Sequence, residues 1–163
     1  PIVISPERKQ SLNARLMLFF TGFSRFSSDI QKETEKSMKD KTAELIKMYG
    51  LVDEAEKILT DKNTNLDEFG RLLDYTWKFK RGISSGISTS SIDEQYDCAI
   101  KAGALGGKLL GAGGGGFLLF YVPLDKQAAV KSALKNQLYV PFQFESEGTK
   151  IIFYNPESYE ESV

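Results

Sequence analysis

The stretch of this chain that is best suited to chemistry is a run of small residues in its second half. The run covers positions 111–116 and contains five glycines, in the order Gly111, Ala112, Gly113, Gly114, Gly115 and Gly116. Glycines at this density are costly for folding unless the backbone needs a positive φ or a ligand approaches the main chain closely. Consecutive main-chain N–H groups in such a loop can form a concave nest for an anion, most often phosphate. The run therefore predicts a phosphate-binding loop, and the alternative is a β-bulge or tight turn that needs small residues for packing.

Two common phosphate-binding motifs do not fit this run. The pattern GxGxxG is formally present, but a helix must follow it so that the helix N-terminus receives the pyrophosphate. Residues 117–122 are instead strand-like, aromatic and aliphatic up to Pro123. The P-loop pattern fails because Ala102 and Leu109 stand where it requires Gly and Ser or Thr. Both motifs are therefore excluded for this run.

Three positions outside the run are further candidates for contacts with an anion or a substrate. Lys108 precedes the run, where it lies near a phosphate or is a solvated lysine at a strand edge. Arg25 follows an apolar segment that closes at Thr21 and Gly22. Its guanidinium can donate two parallel hydrogen bonds to a phosphate group, and the alternative is a surface ion pair with Asp29. A predicted helix also ends in three basic residues that the helix dipole is sufficient to explain, Lys78, Lys80 and Arg81.

The composition is that of an ordinary globular protein, with 163 residues, 41% hydrophobic and 26% charged. This length predicts a single domain over residues 1–163. A net charge of -1 gives no basic surface, so neither nucleic acid nor an anionic membrane is an expected partner. We find no run of roughly 18 apolar residues and no signal peptide. The sequence predicts a cytoplasmic protein or, since it begins without Met, a piece of one.

Histidine is absent and there is a single cysteine. The absence of histidine excludes a Ser-His-Asp triad and removes the commonest zinc ligand, so we expect no metal site of that kind. Cys98 cannot form an internal disulfide. Its place on an apolar helical face predicts a buried thiol in a reducing compartment.

Hydrophobic periodicity predicts the elements that must position these residues. Strands are predicted at 16–21, 117–122, 142–145 and 150–154. Helices are predicted at 28–50, at 51–59, from 65 through the basic residues near 81, from 91 into the glycine run, and at 125–138. The Ser- and Gly-rich segment 82–91 is a plain connector or a contact for a sugar or phosphate. This order of elements predicts an α+β, ferredoxin-like sandwich, an antiparallel sheet with helices packed on one face.

The glycine run and the residues before it resemble the third signature motif of the GHMP kinases, the family of galactokinase, homoserine kinase, mevalonate kinase and phosphomevalonate kinase. The motif is carried by a helix, residues 102–104, residues 107–116 and a hydrophobic strand. Within the family the sequence is most similar to the bacterial D-glycero-D-manno-heptose phosphate kinases. Three further segments carry that resemblance, at 20–25, 69–73 and 77–81.

The resemblance implies an enzyme that transfers the γ-phosphate of Mg²⁺-bound ATP to a sugar or sugar phosphate, such as a heptose phosphate used for lipopolysaccharide or another cell-surface glycan. It implies that residues 111–116 and Lys108 line the active site, and that Thr21, Gly22 and Arg25 contact the substrate. In this family the phosphate loop Pro-x-x-x-Gly-Leu-x-Ser-Ser and the catalytic acid belong to an N-terminal domain, and neither pattern occurs here. We therefore expect a C-terminal domain with no catalytic residue of its own. Its expected partners are its own N-terminal kinase domain, which binds most of the ATP and Mg²⁺, and a small-molecule sugar phosphate.

Two other classes of function are compatible with the same fold. One is a ferredoxin-like regulatory domain in which the glycine loop binds a small-molecule effector and no reaction occurs. The other is an RNA-binding domain, which the charge balance and the lack of paired aromatic and basic residues on strands disfavour. An upstream segment with the phosphate loop would favour the kinase.

Overall fold

The computed structural model describes residues 2–22, 41–82, 87–111, 115–145 and 147–153. The elements formed by these residues are, in chain order, α1 Pro6–Arg15, β1 Leu16–Phe20, α2 Thr42–Thr60, α3 Asp67–Arg81, α4 Ser90–Lys101, β2 Gly106–Leu110, β3 Phe117–Tyr121, α5 Gln127–Ala133 and β4 Leu138–Val140. One turn of 3₁₀ helix, Leu124–Lys126, precedes α5. Among the described residues, no helix has both the length and the apolar character needed to cross a bilayer.

The four strands form one sheet in the order β2-β3-β1-β4, and every pair of neighbours is antiparallel. This is the strand order of a ferredoxin-like βαββαβ unit, so the predicted α+β sandwich is confirmed. In the register, Phe20 pairs with both Phe117 and Leu138, and Leu110 also pairs with Phe117. The end of β1, the end of β2 and the start of β3 therefore lie together at one end of the sheet.

The main hydrophobic cluster lies between one face of the sheet and helices α3, α4 and α5. Its buried members include Met17, Phe19, Trp77, Tyr96, Phe120 and Val130. A smaller cluster contains Leu12, Leu16, Leu66 and Tyr121. Because successive strand residues point to opposite faces, Leu16 and Tyr121 place this smaller cluster on the other side of the sheet, where α1 covers it.

Helix α3 lies directly along the edge strand β2. A Cβ atom on Gly106 would overlap the main-chain oxygen of Gly70 and would lie 2.6 Å from the main-chain nitrogen of Asp74. Two tyrosine hydroxyls hold this helix in place: Tyr121 of β3 donates to Asp67 at 3.0 Å, and Tyr96 of α4 donates to Asp74 at 2.9 Å. The unpaired edge of β2 is thus covered by a helix, which prevents pairing with another strand.

The helices differ from the sequence predictions in two places. The sequence predicts no helix before β1, but Ser5 caps α1 by accepting from the Arg8 main-chain N–H at 3.2 Å, with Pro6 in the first turn. The two helices predicted on either side of Gly50 are one continuous helix, α2. A glycine inside a helix costs only about 1 kcal/mol, so good helix formers on both sides carry the helix through it. Positions 28–40, where the first of the two is predicted to begin, lie outside the described residues.

The strands also differ. The predicted direct passage from helix into glycine run is wrong, because β2 lies between α4 and the run. The predicted strand at 142–145 is wrong as well; the last strand is β4, which ends at Val140, and the described positions 150–153 are not strand either. Pro141 lacks a main-chain N–H, so it stops the pairing of β4 with β1 directly after Val140. The helix predicted over 125–138 is confined to the 3₁₀ turn and α5.

Cys98 is exposed, so the predicted buried thiol is wrong. The buried stripe of α4 consists of Ile92, Gln95, Tyr96 and Ala99. This stripe follows the helical spacing of three and four residues, and position 98 falls beside it.

Candidate functional site

The glycine run is the loop of a β-hairpin that joins β2 to β3 at one end of the sheet. Gly111 has a φ of 103° and Gly116 a φ of 109°, so both ends of the loop use the left-handed region that favours glycine. Gly111 is exposed, whereas Gly115 is buried. The remaining positions of the loop lie outside the described residues, namely Ala112, Gly113 and Gly114. Both alternatives therefore remain predictions, the phosphate nest and the β-bulge or tight turn that needs small residues.

Thr21 fastens the loop to the end of β1. Its main-chain N–H donates to the Gly116 oxygen at 2.9 Å, and its hydroxyl donates to the same oxygen at 3.0 Å. Thr21 is only 3% exposed. The structure thus brings two of the predicted site residues together, with the Thr21 hydroxyl directed at the main chain of the loop.

Gln95 of α4 completes this junction and is not among the residues that the sequence predicts. Its side-chain Nε2 donates to the main-chain oxygen of Thr21 at 3.2 Å and lies 3.5 Å from the hydroxyl of Ser91. Its Oε1 is buried and has no hydrogen-bond partner among the described residues. A polar residue between Ile92 and Ala99 in the apolar stripe of a helix is the sequence signal that identifies it.

Of the other predicted site residues, the structure describes Gly22 and Lys108. Gly22 follows Thr21 and is exposed, and Arg25 lies outside the described residues. Lys108 is half-buried at the centre of β2, on the opposite side of the strand from the buried Leu109. β2 is an edge strand, but Lys108 is half-buried and α3 lies along that edge. Both interpretations of Lys108, a phosphate contact and a solvated lysine, therefore stay predictions.

Two tyrosine hydroxyls that contact α3, those of Tyr96 and Tyr121, are partly withdrawn from water. Burial raises the pKa of the Tyr96 hydroxyl, and its hydrogen bond to the Asp74 carboxylate raises it further. Burial and the hydrogen bond to Asp67 have the same effect on the pKa of Tyr121. Both hydroxyls are thereby held as donors to carboxylates of α3, which Tyr121 joins to the sheet and Tyr96 joins to α4.

At the end of α3, Arg81 forms an ion pair with Asp93 at 2.7 Å and lies over the rings of Trp77 and Tyr96, 5.8 and 5.7 Å from their centroids. This arginine is therefore part of the packing between α3 and α4. Within the described ranges, no group of three or more His, Cys, Asp or Glu side chains is arranged to hold a metal ion.

Comparison with known proteins decides the family. The family model described as "GHMP kinases C terminal" matches residues 52–140, more than half of the chain. The chain belongs to the GHMP kinase family. The matched residues include α3, α4, the glycine hairpin and all of β2 and β3.

Individual kinases are similar to this chain in sequence or in fold. The chain is 31% identical over 157 residues to the D-glycero-alpha-D-manno-heptose 7-phosphate kinase of Campylobacter jejuni subsp. jejuni serotype O:2, a match that covers 91% of this chain and 46% of that protein. A solved structure of a putative sugar kinase from Campylobacter jejuni has 27% identity and a TM-score of 0.54 over 89% of this chain and 40% of that one. The mevalonate kinase of Methanococcus jannaschii has the same fold, with a TM-score of 0.69 at 23% identity over 84% of this chain and 42% of that one. The chain thus spans less than half the length of these relatives.

Proposed function

We propose that this chain is the C-terminal half of an ATP-dependent sugar kinase, and that the complete protein phosphorylates a sugar or sugar phosphate, with a heptose phosphate as the leading acceptor. The observation that carries the proposal is the match to the C-terminal family model, which includes the glycine hairpin. The acceptor is suggested by the relative named as a heptose 7-phosphate kinase, of which this chain spans 46%. On this proposal residues 1–163 are one domain, whose partner is an N-terminal kinase domain in the same cytoplasmic protein.

Phosphoryl transfer depends mainly on positioning and on neutralising the charge of the phosphoryl group. The role we assign to the glycine hairpin is to present main-chain N–H groups to a phosphate. A hairpin fastened to β1 through Thr21 and Gly116 suits that role, because donors held in place need not reorganise during the reaction. Lys108 would add positive charge beside it, while Gly22 and Arg25 would lie on the acceptor side.

ATP supplies the phosphoryl group when it is bound, and Mg²⁺ neutralises its charge. The described part of the chain has no acidic cluster that fits Mg²⁺. We therefore assign the metal, most of the ATP contacts and the catalytic acid to the N-terminal domain. This chain would contribute binding and orientation, without a catalytic residue.

The test is phosphate transfer from γ-labelled ATP to heptose 7-phosphate by the complete protein and, in parallel, by the 163-residue chain. We expect turnover by the complete protein and none by the chain alone. Turnover by the isolated chain would show that a catalytic site lies within it. A complete protein that binds the sugar phosphate but transfers nothing to any sugar or sugar phosphate would instead be a regulatory protein, and the kinase proposal would be wrong.

A further inference from the structure

Helix α3 runs in the same direction as β2, toward the glycine hairpin. Near its start, a Cβ atom on Gly70 would lie 3.0 Å from the Cβ of Leu105, and one turn later Asp74 lies against Gly106. From that contact, Lys80 lies about 9 Å further along the helix, and Lys108 about 7 Å further along the strand. The two lysines are therefore at nearly the same level on adjacent elements.

The basic residues at the end of α3 are not equivalent. Lys78 forms an ion pair with Asp74 at 2.6 Å, and Arg81 forms one with Asp93 at 2.7 Å. Within the part of the chain that the structure describes, Lys80 has no carboxylate or other side-chain hydrogen-bond partner, and the same is true of Lys108. The helix dipole explains why basic residues occur at this helix end. It does not explain why Lys80, which has no carboxylate partner among the described residues, lies beside Lys108.

The environment of the Lys80 ammonium group is unfavourable without a counter-charge. Both lysines are half-buried. Burial lowers the pKa of Lys80, and the positive charge of Lys108 lowers it further. Two like charges held together in a partly desolvated place favour the binding of an anion that relieves both costs.

We propose that Lys80 and Lys108 form a phosphate-binding subsite on the strand that leads into the glycine hairpin. A phosphate monoester carries nearly two negative charges at neutral pH, and each lysine offers a compact charge with three donors. The identity of the phosphate rests on the proposed function. It is the phosphate that the acceptor sugar already carries or one of the phosphates of the nucleotide.

The first experiment titrates the 163-residue chain with inorganic phosphate and follows binding by calorimetry and by the NMR signals of the lysine side chains. Lys80→Met and Lys108→Met keep the length of the aliphatic stem and remove the charge. We expect each to weaken phosphate binding about 10-fold or more, the effect of losing one charge-assisted contact. Lys78→Met is the matched control, since that lysine lies on the same helix end but is paired with Asp74, and it should retain the parent affinity. Thermal melts verify that all three variants fold.

Absence of phosphate binding by the parent chain, or equal affinity in all three variants, would overturn the proposal. The source of the phosphate is distinguished by repeating the titration with mannose 6-phosphate, with unphosphorylated mannose and with ATP. A lysine-dependent affinity for mannose 6-phosphate assigns the subsite to the acceptor, and one for ATP assigns it to the nucleotide. These readouts need no turnover, so they stand even where the kinase proposal fails. Conversely, if the complete protein is a kinase and its Lys80→Met variant keeps the parent KM for both substrates, the subsite proposal is wrong and the kinase proposal stands.

Discussion

The Thr21 hydroxyl donates to the main-chain oxygen of Gly116 at 3.0 Å, beside the Thr21 N–H, which donates to the same oxygen at 2.9 Å. This pair of bonds joins the residue that follows β1 to the last residue of the glycine loop. One limb of the hairpin is therefore fixed to the centre of the sheet, while Gly111 at the other limb is exposed.

Thr21→Val removes the hydroxyl and keeps the shape of the side chain. The Gly116 oxygen still accepts from the main-chain N–H, so we expect a loss of about 1 kcal/mol in the free energy of unfolding, the net value of one hydrogen bond. Denaturant titration of the chain measures it, with Thr21→Ser as the control that keeps the hydroxyl. A valine variant as stable as the parent would show that the hydroxyl does not stabilise the hairpin. A direct role of Thr21 toward a substrate would then be the better explanation for this residue.

The close approach of α3 to β2 predicts a large effect at Gly106. In Gly106→Ala the new methyl group meets main-chain atoms of Gly70 and Asp74, which cannot rotate away, so we expect destabilisation of about 3 kcal/mol. Gly50→Ala is the control, because Gly50 lies inside α2 and, apart from its chain neighbours and the backbone of its own helix, no atom lies within 4 Å of the place its new methyl group would take. That change should stabilise by about 0.5 to 1 kcal/mol. Chemical denaturation of the two variants compares them, and similar midpoints would contradict the packing of α3 on β2.

The same contact explains why β2 could not be predicted. The strand begins with Gly106 and Gly107, two residues of low strand propensity, because the helix and the Phe120 ring leave no room for side chains there. That requirement arises from tertiary packing, whereas the apolar periods of β1, α3 and α4 are local and predict those elements correctly. The position of β4 is likewise set by pairing with its neighbour: Leu138–Val140 pair with β1, and residues 142–145 after Pro141 do not, although their alternating Phe residues are typical of a strand.

Part of the candidate site can be predicted from the sequence. The glycine run is evident from its composition, and Thr21 is identified because it ends the apolar segment 16–21. The register that brings them together follows from the sheet, because Phe20 and Leu110 both pair with Phe117. The sequence does not distinguish Lys80 from Lys78 and Arg81, because what distinguishes them is ion pairing in the folded chain. Lys78 pairs with Asp74 and Arg81 with Asp93, whereas Lys80 pairs with no carboxylate among the described residues.

Tyr96 and Tyr121 predict a loss of stability at alkaline pH. Both pKa values are raised in the folded chain, above the ordinary tyrosine value of about 10. Below that pH both states keep the proton and the contribution to stability is complete. As the pH rises further, the unfolded chain releases protons that the folded chain retains, so stability falls. Melting temperatures between about pH 9 and 12 should fall less steeply in the Tyr96→Phe, Tyr121→Phe double variant than in the parent.

The control for the alkaline series is Tyr75→Phe, because that side chain is 52% exposed on α3. Its melting temperatures should follow the parent curve. A double variant with the parent slope would mean that these two hydroxyls do not control the alkaline transition.

The buried amide of Gln95 allows a test of the junction between α4 and the hairpin. In Gln95→Glu, a carboxyl group replaces the amide that donates to the Thr21 oxygen at 3.2 Å. The site is buried, with Gln95 only 9% exposed, so the charged form is disfavoured and the pKa of the new carboxyl should lie above the ordinary value of about 4.3. The protonated carboxyl can still donate to Thr21, but the carboxylate faces that oxygen with no proton between them. The variant should therefore have its full stability below about pH 4 and lose it as the pH rises through the raised pKa.

Gln95→Met is the matched control for this pH series, because it lacks both the donor and the charge. The difference in melting temperature between the methionine variant and the parent should therefore be the same at about pH 5 and about pH 8, whereas the glutamate variant should lose stability between them. A glutamate variant that tracks the methionine variant at both pH values would show that the side chain at this position does not donate to the end of β1.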